Sequence, residues 1–173
     1  MRILSSLQLA ALDLVRPQFK KRDFYDSNRV NETGDSSLGA GDASLGFYHG
    51  VLGLPLRGRG NVQYRHLDEI VGLPDTEIEW AELELPGGGL IELFRYAHPP
   101  GATVDPSVNN PGTTHLALEV TDIDQAYADL NAAGVAVASH GPVEIPFGDW
   151  AGWRCLYARD PDGVTIELSQ PPS

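Results

Sequence analysis

Residues 161–168 read Pro161-Asp162-Gly163-Val164-Thr165-Ile166-Glu167-Leu168, and residues 86–93 read Pro86-Gly87-Gly88-Gly89-Leu90-Ile91-Glu92-Leu93. Both fit P-x-G-x-x-I-E-L with five of eight positions matched, a tight turn followed by a strand carrying one acid among apolar residues. An internal repeat fixes architecture before any single motif does, because each copy has to fold as the same unit.

Working outward, each copy is preceded by a stretch of helical design. In Asp122–Ala133 the residues Ile123, Ala126, Tyr127 and Leu130 fall at i, i+3, i+4 and i+7. Asp122 can cap its start, Gln125 stands three residues on, and Gly134 sits where a helix-ending glycine belongs. Asp42–Leu52 repeats the pattern, with Asp42 as cap, Leu45, Tyr48 and Leu52 as the buried stripe, and Gly53 as the stop. Thr113–Thr121 alternates as a strand, with His115, Ala117 and Glu119 on one face and Leu116, Leu118 and Val120 on the other. Further strands are expected at Val135–Ser139, Gly152–Ala158 and Val164–Ser169. In the first half they are expected at Val62–Leu67, Ile78–Leu85 and Leu90–Tyr96.

Each half therefore reads strand, helix, then about three strands, an α+β arrangement of two βαβββ modules. Residues 1–98 form the first module, with a polar insertion at about 16–41. Residues 99–112 form a linker rich in proline, and 113–173 the second module. Leu7–Leu12 is the candidate first strand of the first module, although Met1–Val15 also reads as a helix.

The chain of 173 residues carries a formal charge of -12. It offers no basic stripe to displace counterions from phosphates, which excludes a nucleic-acid partner, and it disfavours anionic lipid. Cys155 is the only cysteine, so neither an intrachain disulfide nor a thiolate zinc cluster can form. No run reaches the roughly 18 apolar residues of a membrane span. Gln8 and Asp13 interrupt the one leader-like stretch, Met1–Val15, and a cytoplasmic protein is expected.

Alternation decides where the acids point. Val164, Ile166 and Leu168 share a face of their strand, leaving Thr165, Glu167 and Ser169 on the other. Glu92 is the repeat's counterpart of Glu167. One His and two Glu facing one cavity suit a borderline divalent metal such as Zn, Ni, Fe or Mn. A glutamate alternating with apolar residues also suits a plain solvent face, and a strand histidine a structural role. Trp150 and Trp153 in Gly148-Asp-Trp-Ala-Gly-Trp153 read either as the wall of a small-molecule pocket or as ordinary packing.

His115-Leu-Ala-Leu-Glu-Val-Thr-Asp-Ile-Asp, Ala133-Gly134-Val135 and Tyr157-Ala-Arg-Asp-Pro-Asp-Gly-Val-Thr-Ile-Glu167-Leu resemble the second module of the glyoxalase, bleomycin-resistance and extradiol-dioxygenase (vicinal oxygen chelate) superfamily. Phe47-Tyr48-His-Gly-Val-Leu-Gly-Leu resembles the helix of its first module. The match runs over roughly residues 42–170. It implies curved, partly open barrel-like sheets around a central cavity holding one divalent metal. The ligands it implies are His115, Glu167 and, as in the glyoxalase I branch, Glu92. The fourth, first-strand position has no aligned counterpart: the residue matching His115 would be Gly34. Gln8 in a displaced first strand is the candidate, with His49 and His66 as fallbacks.

The chemistry implied is a glyoxalase I-like lyase or isomerase acting on a small molecule. It would transfer a proton next to a carbonyl through a metal-bound enediolate, with Glu167 as catalytic base. A methylmalonyl-CoA epimerase-like enzyme, an extradiol-type dioxygenase and a metal-free antibiotic-binding protein are the other expectations. The family also leaves room for a homodimer.

Overall fold

The computed structural model describes Ile3–Leu4 and residues 40–173. Twelve elements follow in order: β1 (Ile3–Leu4), α1 (Ala40–Leu45) running on as a π-helix (Gly46–Val51), β2 (Leu56–Val62), α2 (Arg65–Val71), β3 (Glu77–Glu84), β4 (Leu90–His98), β5 (His115–Val120), α3 (Ile123–Ala132), β6 (Val143–Glu144), β7 (Arg154–Arg159) and β8 (Thr165–Gln170). They build a five-stranded sheet in the order β1-β5-β8-β7-β6 and a three-stranded antiparallel sheet β2-β3-β4. The fold is α+β, and the strands of the described residues close no barrel. The second half is a strand, a helix and three strands, with β5 and β8 parallel. Among the described residues no helix is long and apolar enough to cross a membrane.

Local signals explain the best-formed elements. The Asp122 carboxylate accepts from the backbone N–H of Gln125 at 2.9 Å, satisfying one of the orphan donors at the start of α3. Gly134 ends that helix at φ +71°, in the left-handed region where only glycine escapes a Cβ penalty. Ile123, Ala126 and Leu130 bury the expected stripe. One apolar core serves both halves: Leu52, Leu54 and Leu83 from the first pack with Leu118, Leu156, Ile166 and Leu168 from the second.

Three expectations need correction. The strand expected at Val62–Leu67 lies earlier, at Leu56–Val62, and Arg65–Val71 is helical. Leu56-Arg-Gly-Arg-Gly-Asn-Val62 shows no apolar alternation, yet it pairs with β3 from Leu56 opposite Leu83 to Val62 opposite Ile78, with the Trp80 ring in ordinary contact distance of Gly58. Leu67 is the buried residue of α2, which Gly72 ends at φ +72°. The second correction concerns Val135–Ser139, which makes only a single bridge, Val137 with Ala158. The chain turns away at Gly141, and Val143–Glu144 takes the place beside β7. Third, the helix expected over 42–52 is α-helical only to Leu45. It then widens so that Leu52 N–H donates to Phe47 C=O at 2.9 Å, and Phe47 and Tyr48 are both buried. The expected strand Leu7–Leu12, with Gln8, lies outside the described residues.

Two carboxylates of the Asp160-Pro-Asp-Gly163 turn bind the first half to the second. Tyr48 Oη donates to Asp160 Oδ2 at 3.0 Å and Ser44 Oγ to Asp162 Oδ2 at 2.9 Å. Asp160 Oδ1 accepts from the N–H groups of Asp162 and Val164, so the buried carboxylate is fully engaged.

Candidate active site

One face of the five-stranded sheet is built in rows. The parallel register of β5 on β8 sets His115 opposite Thr165, Ala117 opposite Glu167 and Glu119 opposite Ser169. The antiparallel register of β7 adds Arg159, Tyr157 and Cys155 to those rows in turn. The apolar residues between them (Leu118, Leu156, Ile166 and Leu168) are buried, so these side chains take the other face.

Ala117 is the small neighbour that lets Glu167 lean toward the start of β5. Glu167 Oε2 lies 3.4 Å from His115 Nε2, an ion pair when the imidazole is protonated. The carboxylate is half-buried while the imidazole is half open to solvent. Tyr157 stacks on His115 with centroids 5.9 Å apart and planes at 28°, fixing the ring's orientation. Burial first, then the charge of Glu167 and a hydrogen bond to it, raise the Tyr157 phenol above its ordinary range. The same causes in the same order push the Cys155 thiol up to about 11. Both groups therefore hold their protons at neutral pH and present donors to Glu167.

Glu92 stands on the other sheet, exposed on β4 and opposite Glu82 of β3, which Arg57 approaches at 3.8 Å. Like charges directly opposite on a ladder repel. Among the described residues no three His, Cys, Asp or Glu side chains gather as a metal cage. The structure thus pairs His115 with Glu167, while Glu92 lies apart from them and Gln8 outside the described residues. Of the fallback histidines, His49 Nδ1–H donates to the Leu54 carbonyl at 2.7 Å, and His66 is exposed on α2.

Trp150 and Trp153 form an edge-to-face pair with centroids 5.0 Å apart in the β6–β7 hairpin, closed by Ile145 N–H to Trp153 C=O. Trp153 lies two residues before Cys155. The hairpin leaves Phe147 and Trp150 exposed. A separate cavity of about 370 Å³ lies between the π-helix and the end of α3, lined by Phe47, Val51, Val135 and Pro161, and Arg159 is the one residue of these rows that borders it.

Sequence reasoning missed Tyr157 and Cys155. Alternation within β7 was the available signal, but only the strand order puts β7 beside β8.

The model of the Glyoxalase/Bleomycin resistance protein/Dioxygenase superfamily matches residues 39–168, which take in both helix-and-strand halves. The chain belongs to this superfamily. Within it, the chain is 31% identical to the uncharacterized protein YaeR of Escherichia coli (strain K12) over 126 residues, covering 72% of this chain and 83% of that one. It is 38% identical over 84 residues to a 2-epi-5-epi-valiolone epimerase of Actinomyces sp., covering 48% of this chain and 45% of that enzyme. A glyoxalase family protein from Bacillus cereus superposes with a TM-score of 0.65 at 27% identity, over 76% of this chain and 87% of its own.

Proposed function

We propose that this protein is a metal-dependent isomerase or lyase that moves a proton on the carbon next to a carbonyl, with His115 and Glu167 at its centre. The carrying observation is the 3.4 Å approach of His115 Nε2 to Glu167 Oε2. Two ligand atoms of a tetrahedral ion with bonds of ~2.0–2.2 Å stand roughly 3.3–3.6 Å apart. That spacing and the imidazole–carboxylate donor set fit one edge of a Zn, Ni, Fe or Mn site. Gln8, and Glu92 if the other sheet brings it across to the pair, are the proposed remaining donors.

When bound, the metal supplies Lewis-acid polarisation of the substrate carbonyl and so acidifies the neighbouring C–H. Glu167 removes that proton and returns it, its carboxylate oriented by the Tyr157 hydroxyl and the Cys155 thiol. Trp150 and Trp153 wall the substrate. An epimerase, which performs the same proton transfer and re-protonates the opposite face, is the second reading, favoured by the similarity to the valiolone epimerase.

The test has two readouts. Metal titration should give one ion per chain in the wild type and loss of binding in His115→Ala and Glu167→Ala. Exchange of the α-proton of hydroxy-ketones in D2O, followed by NMR, should fall on the order of 10²–10⁴-fold in Glu167→Gln. Unchanged metal stoichiometry in both alanine variants would sink the assignment.

A further inference from the structure

Arg159 closes the row that His115 opens. The register sets His115 of β5 opposite Thr165 of β8, and Thr165 opposite Arg159 of β7, so the three side chains leave the same face at the same level. Arg159 Nη1 donates to Thr165 Oγ1 at 2.5 Å, to the Gly163 carbonyl at 2.9 Å and to the Pro106 carbonyl at 3.0 Å. The bond to Thr165 draws the guanidinium toward the middle strand, which lies one spacing, about 4.8 Å, from the strand of His115. The side chain is half-buried there, between the linker and the start of β8.

The partners of this cation set it apart. Arg57, Arg59, Arg95 and Arg154 each stand against a carboxylate. The three oxygens on Arg159 are neutral, and all of them crowd one nitrogen. Asp105 of the linker lies within its field but accepts instead from the Ser107 N–H and hydroxyl. Neutral dipoles thus hold the guanidinium in place without cancelling its charge. Its other edge, Nε and Nη2, bonds to no described residue. Two parallel N–H groups on a planar fork are the shape that a carboxylate or phosphate meets with two hydrogen bonds.

From these observations we infer that Arg159 determines specificity: the site takes hydroxy-ketones that carry an anionic group, a carboxylate or a phosphate, a short chain away from the reacting carbonyl. With the carbonyl at the His115–Glu167 pair, the anion lies against the Nε–Nη2 edge, in the row of His115 and two rows, about 13 Å, from Glu119. A cation drawn partly out of water gains more from an anion than a fully solvated one does. The linker and turn fix it before substrate arrives, so little side-chain freedom is lost on binding. The net charge of -12 repels anions at long range, so a preference for them has to come from such a local contact. This inference rests on reading the His115–Glu167 pair as the reaction centre.

Two matched pairs of probes test it: 5-hydroxylevulinate against its methyl ester, and dihydroxyacetone phosphate against dihydroxyacetone. Affinity is read by saturation-transfer difference NMR on the metal-loaded protein, and exchange of the proton next to the carbonyl in D2O is read in the same samples. Wild type should bind at least one anion roughly tenfold tighter than its neutral partner, with the margin shrinking as salt rises. The two pairs tell carboxylate from phosphate. Arg159→Gln should bring the margin toward one, and Arg159→Lys, which keeps the charge but not the fork, should retain part of it. A role confined to holding the linker would lower Tm in both variants and leave the margin alone, and that result overturns the inference. So does a wild type that binds neutral and anionic members equally, or binds neither anion. If the margin depends on Arg159 but no probe exchanges a proton, anion recognition stands and the proton-transfer reading falls. Exchange without a margin does the reverse.

Discussion

Tyr48→Phe removes one hydroxyl from the seam between the two halves and leaves the ring in place. That hydroxyl donates to the buried Asp160 carboxylate at 3.0 Å, and the ring stays edge-on to Phe47 at 5.0 Å. A hydrogen bond to a charged group is worth about 1.5–3 kcal/mol, and the orphaned oxygen keeps its desolvation cost. Asp160 retains its two backbone donors, so the expected loss is about 2–3 kcal/mol. For a chain of this size that lowers Tm by roughly 4–12 °C. Urea unfolding followed by tryptophan fluorescence should show a lower midpoint at constant slope.

The pH dependence gives a second check. Burial, then the charge of Asp160 and the hydrogen bond to it, raise the Tyr48 phenol far above the usual value of about 10. With the folded value raised, the stabilisation is whole below pH ~10 and declines above it, as the unfolded chain gives up its proton first. The gap between wild type and Tyr48→Phe should therefore narrow above pH ~10. A loss under about 0.5 kcal/mol at neutral pH, or a gap constant into strong alkali, would refute this account of the seam.

Asp122→Ala should cost about 1 kcal/mol in chemical denaturation, since it removes the cap on α3. Gly163→Ala should destabilise more than Gly134→Ala. Both sit at positive φ, with a left-handed penalty of about 1–2 kcal/mol, but only at Gly163 would the new Cβ stand 2.6 Å from Pro106 Cγ and displace the linker. Equal losses in the two variants would show that the linker yields freely. Cys155 should alkylate slowly at pH 7 and faster as pH rises toward about 11, with Glu167→Gln raising the rate at any given pH, because the carboxylate's charge helps hold the proton on the thiol. Rapid labelling of the wild type at neutral pH would contradict that coupling.

Much of the architecture was legible because its causes are local. The repeated P-x-G-x-x-I-E-L placed β4 and β8, and the cap, stripe and terminal glycine placed α3. The first-half strand β2 was not legible. A run of Arg and Gly has no apolar period, and it becomes a strand only through its backbone ladder with β3. The π-helix was hidden for a similar reason, since burying the adjacent Phe47 and Tyr48 against the shared core widens a turn that local propensity leaves α-helical.

By itself the sequence determined the family and the face on which His115 and Glu167 lie, because side-chain alternation is a property of any strand. Only the tertiary structure decided that β5 and β8 run side by side in a register that sets the small Ala117 opposite Glu167, so that the carboxylate can reach His115 at 3.4 Å. Strand order likewise brought Tyr157 and Cys155 to the same carboxylate. Those residues are distant along the chain or anonymous within it. Their proximity is fixed by which backbone edges pair, a choice made by burying one common core and not by any short stretch of residues.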